Sequence, residues 1–147
     1  MDQKVVDFLT SERVSALAVV MPDGTSHAAA MHFCFDPAKN AIYFLTEASC
    51  EKCKAVANGR VASASVVVGF DEKDNKVTVQ MDGQLTRETN TEELAQTKQV
   101  YFTKFPDTKK YDTPDSAYLI FKINKWKYSD HRVHPELTLF SVCSHSV

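Results

Sequence analysis

The N-terminal pattern is helical: Val5, Val6, Phe8 and Leu9 fall on one stripe, and the polar run Thr10-Ser11-Glu12 closes it, which predicts a short amphipathic helix. The period then shortens. Residues 14–21 are small or β-branched, Pro22-Asp23-Gly24 supplies turn chemistry, and residues 25–35 form a second extended run, so a β-hairpin is predicted. Beyond a turn at 36–40, Ala41-Ile42-Tyr43-Phe44-Leu45-Thr46 is too short and too aromatic for a helix and reads as a third strand. Residues 49–58 return to helical character, with Ser49 as a cap, Glu51 and Lys52 in the early turns and Asn58-Gly59 as a stop, about two turns in all. Two strands follow at 61–68 and 77–81 around a charged turn, then a helix opened by Thr91, Glu92 and Glu93, carrying Leu94, Val100 and Tyr101 and ended by Phe105-Pro106. The last predicted strand covers 117–123 and extends towards Trp126 and Tyr128; in the tail, Leu137, Leu139, Phe140 and Val142 make a β-like run, suited to an edge strand or to covering a dimer surface.

The order is thus helix, three strands, helix, two strands, helix, strand, with short connections and no repeated βα crossover. That order favours a mainly β antiparallel barrel over a parallel sheet. No repeat or linker divides residues 1–147, and 147 residues suffice for one domain burying roughly 68–70% of its unfolded surface. Composition adds exclusions. A net charge of −2 gives no global field for a nucleic-acid backbone or an anionic membrane, and no apolar run approaches the roughly 20 residues of a membrane span. Cys34, Cys50, Cys53 and Cys143, in a chain able to build its own core, read as thiols and point to the cytoplasm.

The passage Ile42-Tyr43-Phe44-Leu45-Thr46-Glu47-Ala48-Ser49-Cys50-Glu51-Lys52, followed by Val56-Ala57-Asn58-Gly59-Arg60-Val61-Ala62, resembles the core motif of pyridoxamine 5′-phosphate oxidase and its smaller FMN-binding relatives. The turn at Asp23-Gly24, the strand through His27 to Phe35, and the later stretches 77–83, 92–106 and 118–126 fall in that family's order, so the resemblance covers about residues 5–130. It implies a six-stranded antiparallel split β-barrel of Greek-key type with flanking short helices. It also implies a homodimer with FMN at the subunit interface and a small-molecule substrate or reductant on the open side of the flavin. The family's phosphate ligands carry over to Ser49 and Lys52. Its flavin-contacting strands carry over to Ala28, Ala29, Ala30, Met31, His32 and Phe33, and to Leu45 and Thr46. The physics agrees at one point: a helix start with a hydroxyl and an ammonium suits a phosphate dianion.

Several positions depart from the oxidase proper. Glu51 stands where it carries an Arg, Ala28 and Phe33 replace basic residues of the flavin strand, Thr78 falls near its flavin-contacting Gln, and its C-terminal closing segment has no counterpart after Trp126. These losses argue against pyridoxamine-phosphate oxidation and leave FMN-dependent oxidoreduction of another small molecule. The alternatives are a non-catalytic flavin-storage or sensing module, and a haem- or deazaflavin-binding relative. In a haem protein His32 or the C-terminal histidines would supply the axial ligand.

Other constellations are weaker. Cys50-Glu51-Lys52-Cys53 has the C-x-x-C spacing of redox couples and half zinc sites, but its only further soft ligands are Cys143 and His145, and two helix-face thiols are the ordinary reading. No metal site is expected. His27 and His32 fall on opposite faces of their strand, and Lys54 is a candidate replacement cation. Among the aromatics Trp126 is the candidate to stack on an isoalloxazine. No G-x-S-x-G elbow, G-x-G-x-x-G or P-loop occurs.

Overall fold

The computed structural model describes residues 1–73 and 75–141. Helix α1 (Gln3–Ser11) begins where the Asp2 carboxylate accepts the Lys4 N–H at 2.8 Å, and it buries Val5 and Leu9. Strand β1 (Val14–Val20) alternates strictly, with Ser15, Leu17 and Val19 inward, and pairs with β2 (Ser26–His32) across a turn in which Gly24 takes φ +84°. The expected continuous strand to Phe35 is broken at one residue. The Phe33 N–H donates to the Arg13 carbonyl at 3.1 Å, its ring is fully buried, and the chain resumes as β3 (Cys34–Asp36).

Strand β4 (Ala41–Glu47) is buried on both faces at its start. Ile42 and Phe44 enter the barrel core, whereas Ala41 and Tyr43 pack beneath Tyr101 of helix α3 (Thr91–Lys104) and Phe105, which caps its end. That two-sided burial explains a run with no polar alternation. Strands β5 (Ala62–Asp71), β6 (Asn75–Arg87) and β7 (Ser116–Asp130) complete an antiparallel sheet of order β2-β1-β5-β6-β7-β4-β3. Its first and last strands are joined by Phe33 alone, so the chain draws the two edges together into a split barrel.

The described residues hold eight strands where six were expected. The break at Phe33 adds one, and the tail adds β8 (Leu137–Phe140), which pairs with β7 from Lys127↔Phe140 to Asp130↔Leu137; Val142 lies outside the described residues. A second correction concerns the helix expected at 49–58. Helix α2 spans only Glu51–Lys54, its cap position is Cys50 and not Ser49, and a 3-10 turn, Ala57–Gly59, follows with Asn58 at φ +56°. Cys53, Ala55 and Val56 are all buried in the core, and past Lys54 the chain tightens to three-residue bonds, Ala55 N–H to the Lys52 carbonyl at 3.3 Å and Val56 N–H to the Cys53 carbonyl at 3.2 Å.

Candidate functional site

Where β2 approaches β4 outside the barrel, a cavity of about 870 Å³ opens. One wall is the end of β2, with Ala30, Met31 and His32; the floor is Leu45 and Thr46 of β4 and the loop Glu47-Ala48-Ser49. The opposite wall comes from Tyr101 on α3 and from Thr108, Tyr111, Thr113, Asp115 and Ser116. This wall is held by several bonds. The Thr108 hydroxyl donates to the Phe105 carbonyl at 2.7 Å, the Ser116 hydroxyl to the Tyr111 carbonyl at 2.7 Å, and the Ala48 N–H to the Asp115 carbonyl at 2.8 Å. Asp112 ties the segment to both neighbours: its carboxylate receives the Tyr118 hydroxyl of β7 at 2.8 Å and pairs with Lys98 of α3 at 3.0 Å.

Chemically the cavity is a half-apolar slot rimmed by hydroxyls. The ring of Tyr101 is buried and lies 5.1 Å from that of Phe105, and burial pushes its phenol up to about 12, so it stays protonated at neutral pH. His32 meets Phe105 edge-on at 5.6 Å. The titratable groups of the lining are Glu47, Asp115, His32 and the two tyrosines; no lysine or arginine lines it.

Of the residues singled out in the sequence, the cavity therefore brings together Ala30, Met31, His32, Leu45, Thr46 and Ser49. Ala28 and Ala29 lie further along β2, outside the lining. Phe33 is a core residue under the Lys104 ammonium, 4.6 Å from its ring centre, and Trp126 is a half-buried residue of β7 packed on the core, its backbone N–H donating to the Ser141 hydroxyl at 3.3 Å. Lys52 does not line the cavity either. It sits on α2, just beyond the floor loop, only 8% exposed; its carbonyl accepts the Ala55 N–H at 3.3 Å, and its ammonium makes no hydrogen bond or ion pair with another described residue. Lys54, by contrast, is exposed and paired with Glu51 at 2.6 Å. A second cation, unmarked in the sequence, is Arg87 at the end of β6: like Lys52 it acts electrostatically on the Cys53 thiol. Its signal is purely spatial, because 34 positions separate it from Cys53 and no motif joins them.

Beside the floor stand the two thiols. Cys50 Sγ lies 3.4 Å from Cys53 Sγ and 3.3 Å from the Thr46 hydroxyl, and the Cys53 thiol reaches the Glu47 carbonyl at 3.5 Å. Burial opposes ionisation of Cys50, but bonds from Thr46, from the Cys53 thiol and from the Cys53 N–H outweigh it, so this thiol sits below the ordinary range. Burial, with the Cys50 neighbour, pushes Cys53 up to about 12. Cys143 and His145 lie outside the described residues. His131 faces Glu136 at 3.1 Å, and among the described residues no three His, Cys, Asp or Glu side chains gather as a metal site.

A second hollow, also about 870 Å³, lies on the outward face of β1, β5 and β6 and collects none of the predicted residues. Its β6 and β7 side carries the exposed Asp82–Lys125 ion pair, whereas the central rows on β1, β2 and β5 carry no charge. Ala30, Ala16 and Val67 form one row across three strands and Ala28, Ala18 and Ser65 the next, flanked by Val14 and Val20 at 53% and 46% exposed. A sheet face turned to water ordinarily carries polar side chains.

Comparison with known proteins agrees with this architecture. The family model described as pyridoxamine 5′-phosphate oxidase matches residues 1–130. Among solved structures, a protein assigned as general stress protein 26 from Jannaschia sp. CCS1 is 26% identical, with 88% of this chain and 79% of that one covered at a TM-score of 0.64. A heme-binding protein from Mycobacterium smegmatis is 18% identical, over 90% of this chain and 54% of that one, at 0.68, so this chain spans about half of that neighbour's length. The heme storage protein HutZ from Vibrio cholerae is 13% identical, over 83% and 89%, at 0.69. No curated protein matches the sequence. No helix among the described residues is long and apolar enough to cross a membrane.

Proposed function

Because the chain belongs to the pyridoxamine 5′-phosphate oxidase family, we propose that it binds FMN in the cavity between β2, β4 and α3 and serves as an FMN-dependent oxidoreductase for a small molecule other than pyridoxamine phosphate. The observation that carries the reading is Lys52. Its aliphatic stem is buried while its ammonium, unpaired by any described residue, still reaches solvent beside a slot large enough for a cofactor, which places that charge to meet an anionic group. Cofactor cavities span roughly 300–1,000 Å³, and this one has that size. Its walls suit the parts of FMN: Met31, Leu45 and Tyr101 would border the isoalloxazine, the hydroxyls of Thr46, Ser49 and Ser116 the ribityl chain, and Lys52 with Arg87 the phosphate. Bound FMN supplies a hydride acceptor. The chain's own part is to hold the ring against an apolar wall, to exclude water with the Thr108–Ser116 segment, and to offer His32 and the Tyr101 phenol as polar groups at the open side.

The second wall of the site comes from another copy of the chain. Ala30 both lines the cavity and belongs to the uncharged outer face of β1, β2 and β5, so a homodimer seated there narrows the cavity as it forms. Light scattering at micromolar concentration is expected to give twice the mass of one chain, and Ala18→Arg, which puts an unpaired charge in the middle of that face, to give a single chain with unchanged circular dichroism. A single-chain mass for the wild type sinks the dimer. The thiols and the cavity together fit a reducing, cytoplasmic setting.

His32 supports a second reading. Its imidazole is exposed at the cavity wall, and two structural neighbours are named for heme; in a haem protein this residue is the axial ligand. The visible spectrum of the purified protein separates the readings. Flavin bands that persist through gel filtration support FMN; a Soret band lost in His32→Ala supports haem; a protein that stays colourless after incubation with either cofactor refutes both.

A further inference from the structure

We propose that Cys50 and Cys53 form a working dithiol that exchanges with small-molecule disulfides, a redox centre separate from any cofactor in the neighbouring cavity. Four features of the geometry carry it. The sulfurs are 3.4 Å apart and need only close to about 2.05 Å to bond. Cys50 is half-exposed whereas Cys53 is 4% exposed, so one thiol can meet an outside disulfide and the other can meet only its neighbour. The Thr46 hydroxyl, 3.3 Å from Cys50, is placed to donate to a thiolate there. The Glu47 carbonyl, 3.5 Å from Cys53, accepts a hydrogen bond from the second thiol, which stays protonated in reserve. Cys34 lacks this arrangement: it is buried beneath α3, its thiol turned to the Val100 carbonyl at 3.6 Å, and no other described sulfur bonds to it.

The exchange balances without a further reagent. The Cys50 thiolate attacks one sulfur of the external disulfide, the S–S bond breaks, and one small thiolate leaves and takes a proton from solvent. Cys53 then gives up its proton, attacks the Cys50 sulfur of the mixed disulfide, and releases the second small thiol. The protein is oxidised by two electrons and the small disulfide is reduced to two thiols. The lowered pKa of the Cys50 thiol and the raised pKa of the Cys53 thiol assign attacker and resolver in the same sense as their exposure.

The test uses the full-length protein without added cofactor, so that its outcome is independent of the FMN reading. Reduced protein is incubated with oxidised glutathione, quenched by alkylation and mapped by peptide mass. Wild type is expected to yield an internal Cys50–Cys53 disulfide with Cys34 still alkylated. Cys53→Ser is expected to stop at a glutathione adduct on Cys50, and Cys50→Ser to react at least about tenfold more slowly at position 53. Circular dichroism confirms that each variant is folded. Wild type in which both thiols remain alkylatable overturns the proposal, as does Cys50→Ser reacting as fast as Cys53→Ser; a variant that fails to fold leaves the wild-type peptide map to decide.

Discussion

Lys52→Ala is expected to weaken FMN binding about 10- to 150-fold, the loss of one charge-assisted bond worth roughly 1.5–3 kcal/mol. Because Lys52 is only 8% exposed, alanine also removes packing of its aliphatic stem. Lys52→Met keeps that stem and deletes the charge, so a matching loss of affinity in Met isolates the ammonium. Lys54→Ala is the control: that residue is exposed and already paired with Glu51, and its removal should leave affinity within error. Arg87→Ala should weaken binding less than Lys52→Ala, because the Arg87 guanidinium is exposed and more fully screened. Ser49 is not the helix cap, since Cys50 holds that position, so Ser49→Ala should lower affinity by no more than about tenfold and leave the melting temperature unchanged. Titration by quenching of flavin fluorescence reads all five. Equal affinity for wild type, Lys52→Ala and Lys52→Met would place the phosphate elsewhere and remove the observation on which the flavin reading rests.

What the sequence made legible is what local physics controls. Alternation at Ser15, Leu17 and Val19 is visible before any fold is known, as is the helical stripe of Val5 and Leu9, because each records a single buried face. Strand β4 was legible for the opposite reason, since a short run with no polar interruption fits a strand covered on both sides. Three features were not legible, and two of them depend on residues distant in the chain. The break at Phe33 exists because the Arg13 carbonyl takes its N–H. Helix α2 gives way after four residues to three-residue bonds and to Asn58 at φ +56°, a turn back towards β5 that the helical pattern of 49–58 does not announce. The far wall of the cavity, from Thr108 to Ser116, stands more than 60 positions beyond Leu45 and Thr46 and carries no motif; only the pairing of Thr46 with Ala117 and of Glu47 with Ser116 brings it there. The C-x-x-C spacing was visible, yet its chemical sense was not. Whether two such thiols face each other, and which one meets solvent, is decided by the tertiary fold and not by the spacing.

Gly83→Ala is expected to be the most damaging single methyl group in the barrel. Strands β6 and β7 shift register at this point, Asp82 facing Lys125 and Gly83 facing Ile123, so that Asn124 is left as the extra residue of a bulge. The bulge brings β7's backbone against Gly83: a Cβ built there would stand 1.9 Å from the Lys122 carbonyl oxygen and 3.1 Å from the Phe121 ring. Neither neighbour can step aside. The carbonyl belongs to a central strand bonded on both sides, to β6 and β4, and Phe121 is fully buried, so relief requires moving the sheet itself. Strain of this kind in a close-packed interior belongs to the large tail of mutational effects, at least about 3 kcal/mol, which is a substantial share of the roughly 5–15 kcal/mol that stabilises a domain. Gly24→Ala provides the contrast, because no atom lies within 4 Å of its Cβ position and only the φ of +84° opposes it, at a cost of about 1–2 kcal/mol. Urea denaturation followed by circular dichroism distinguishes the two: Gly83→Ala should be largely unfolded or shifted to a far lower midpoint, and Gly24→Ala shifted modestly. A Gly83→Ala protein with a midpoint equal to that of Gly24→Ala would mean that β6 and β7 are not locked at this bulge, and that the β7 backbone is free to yield where the barrel bends.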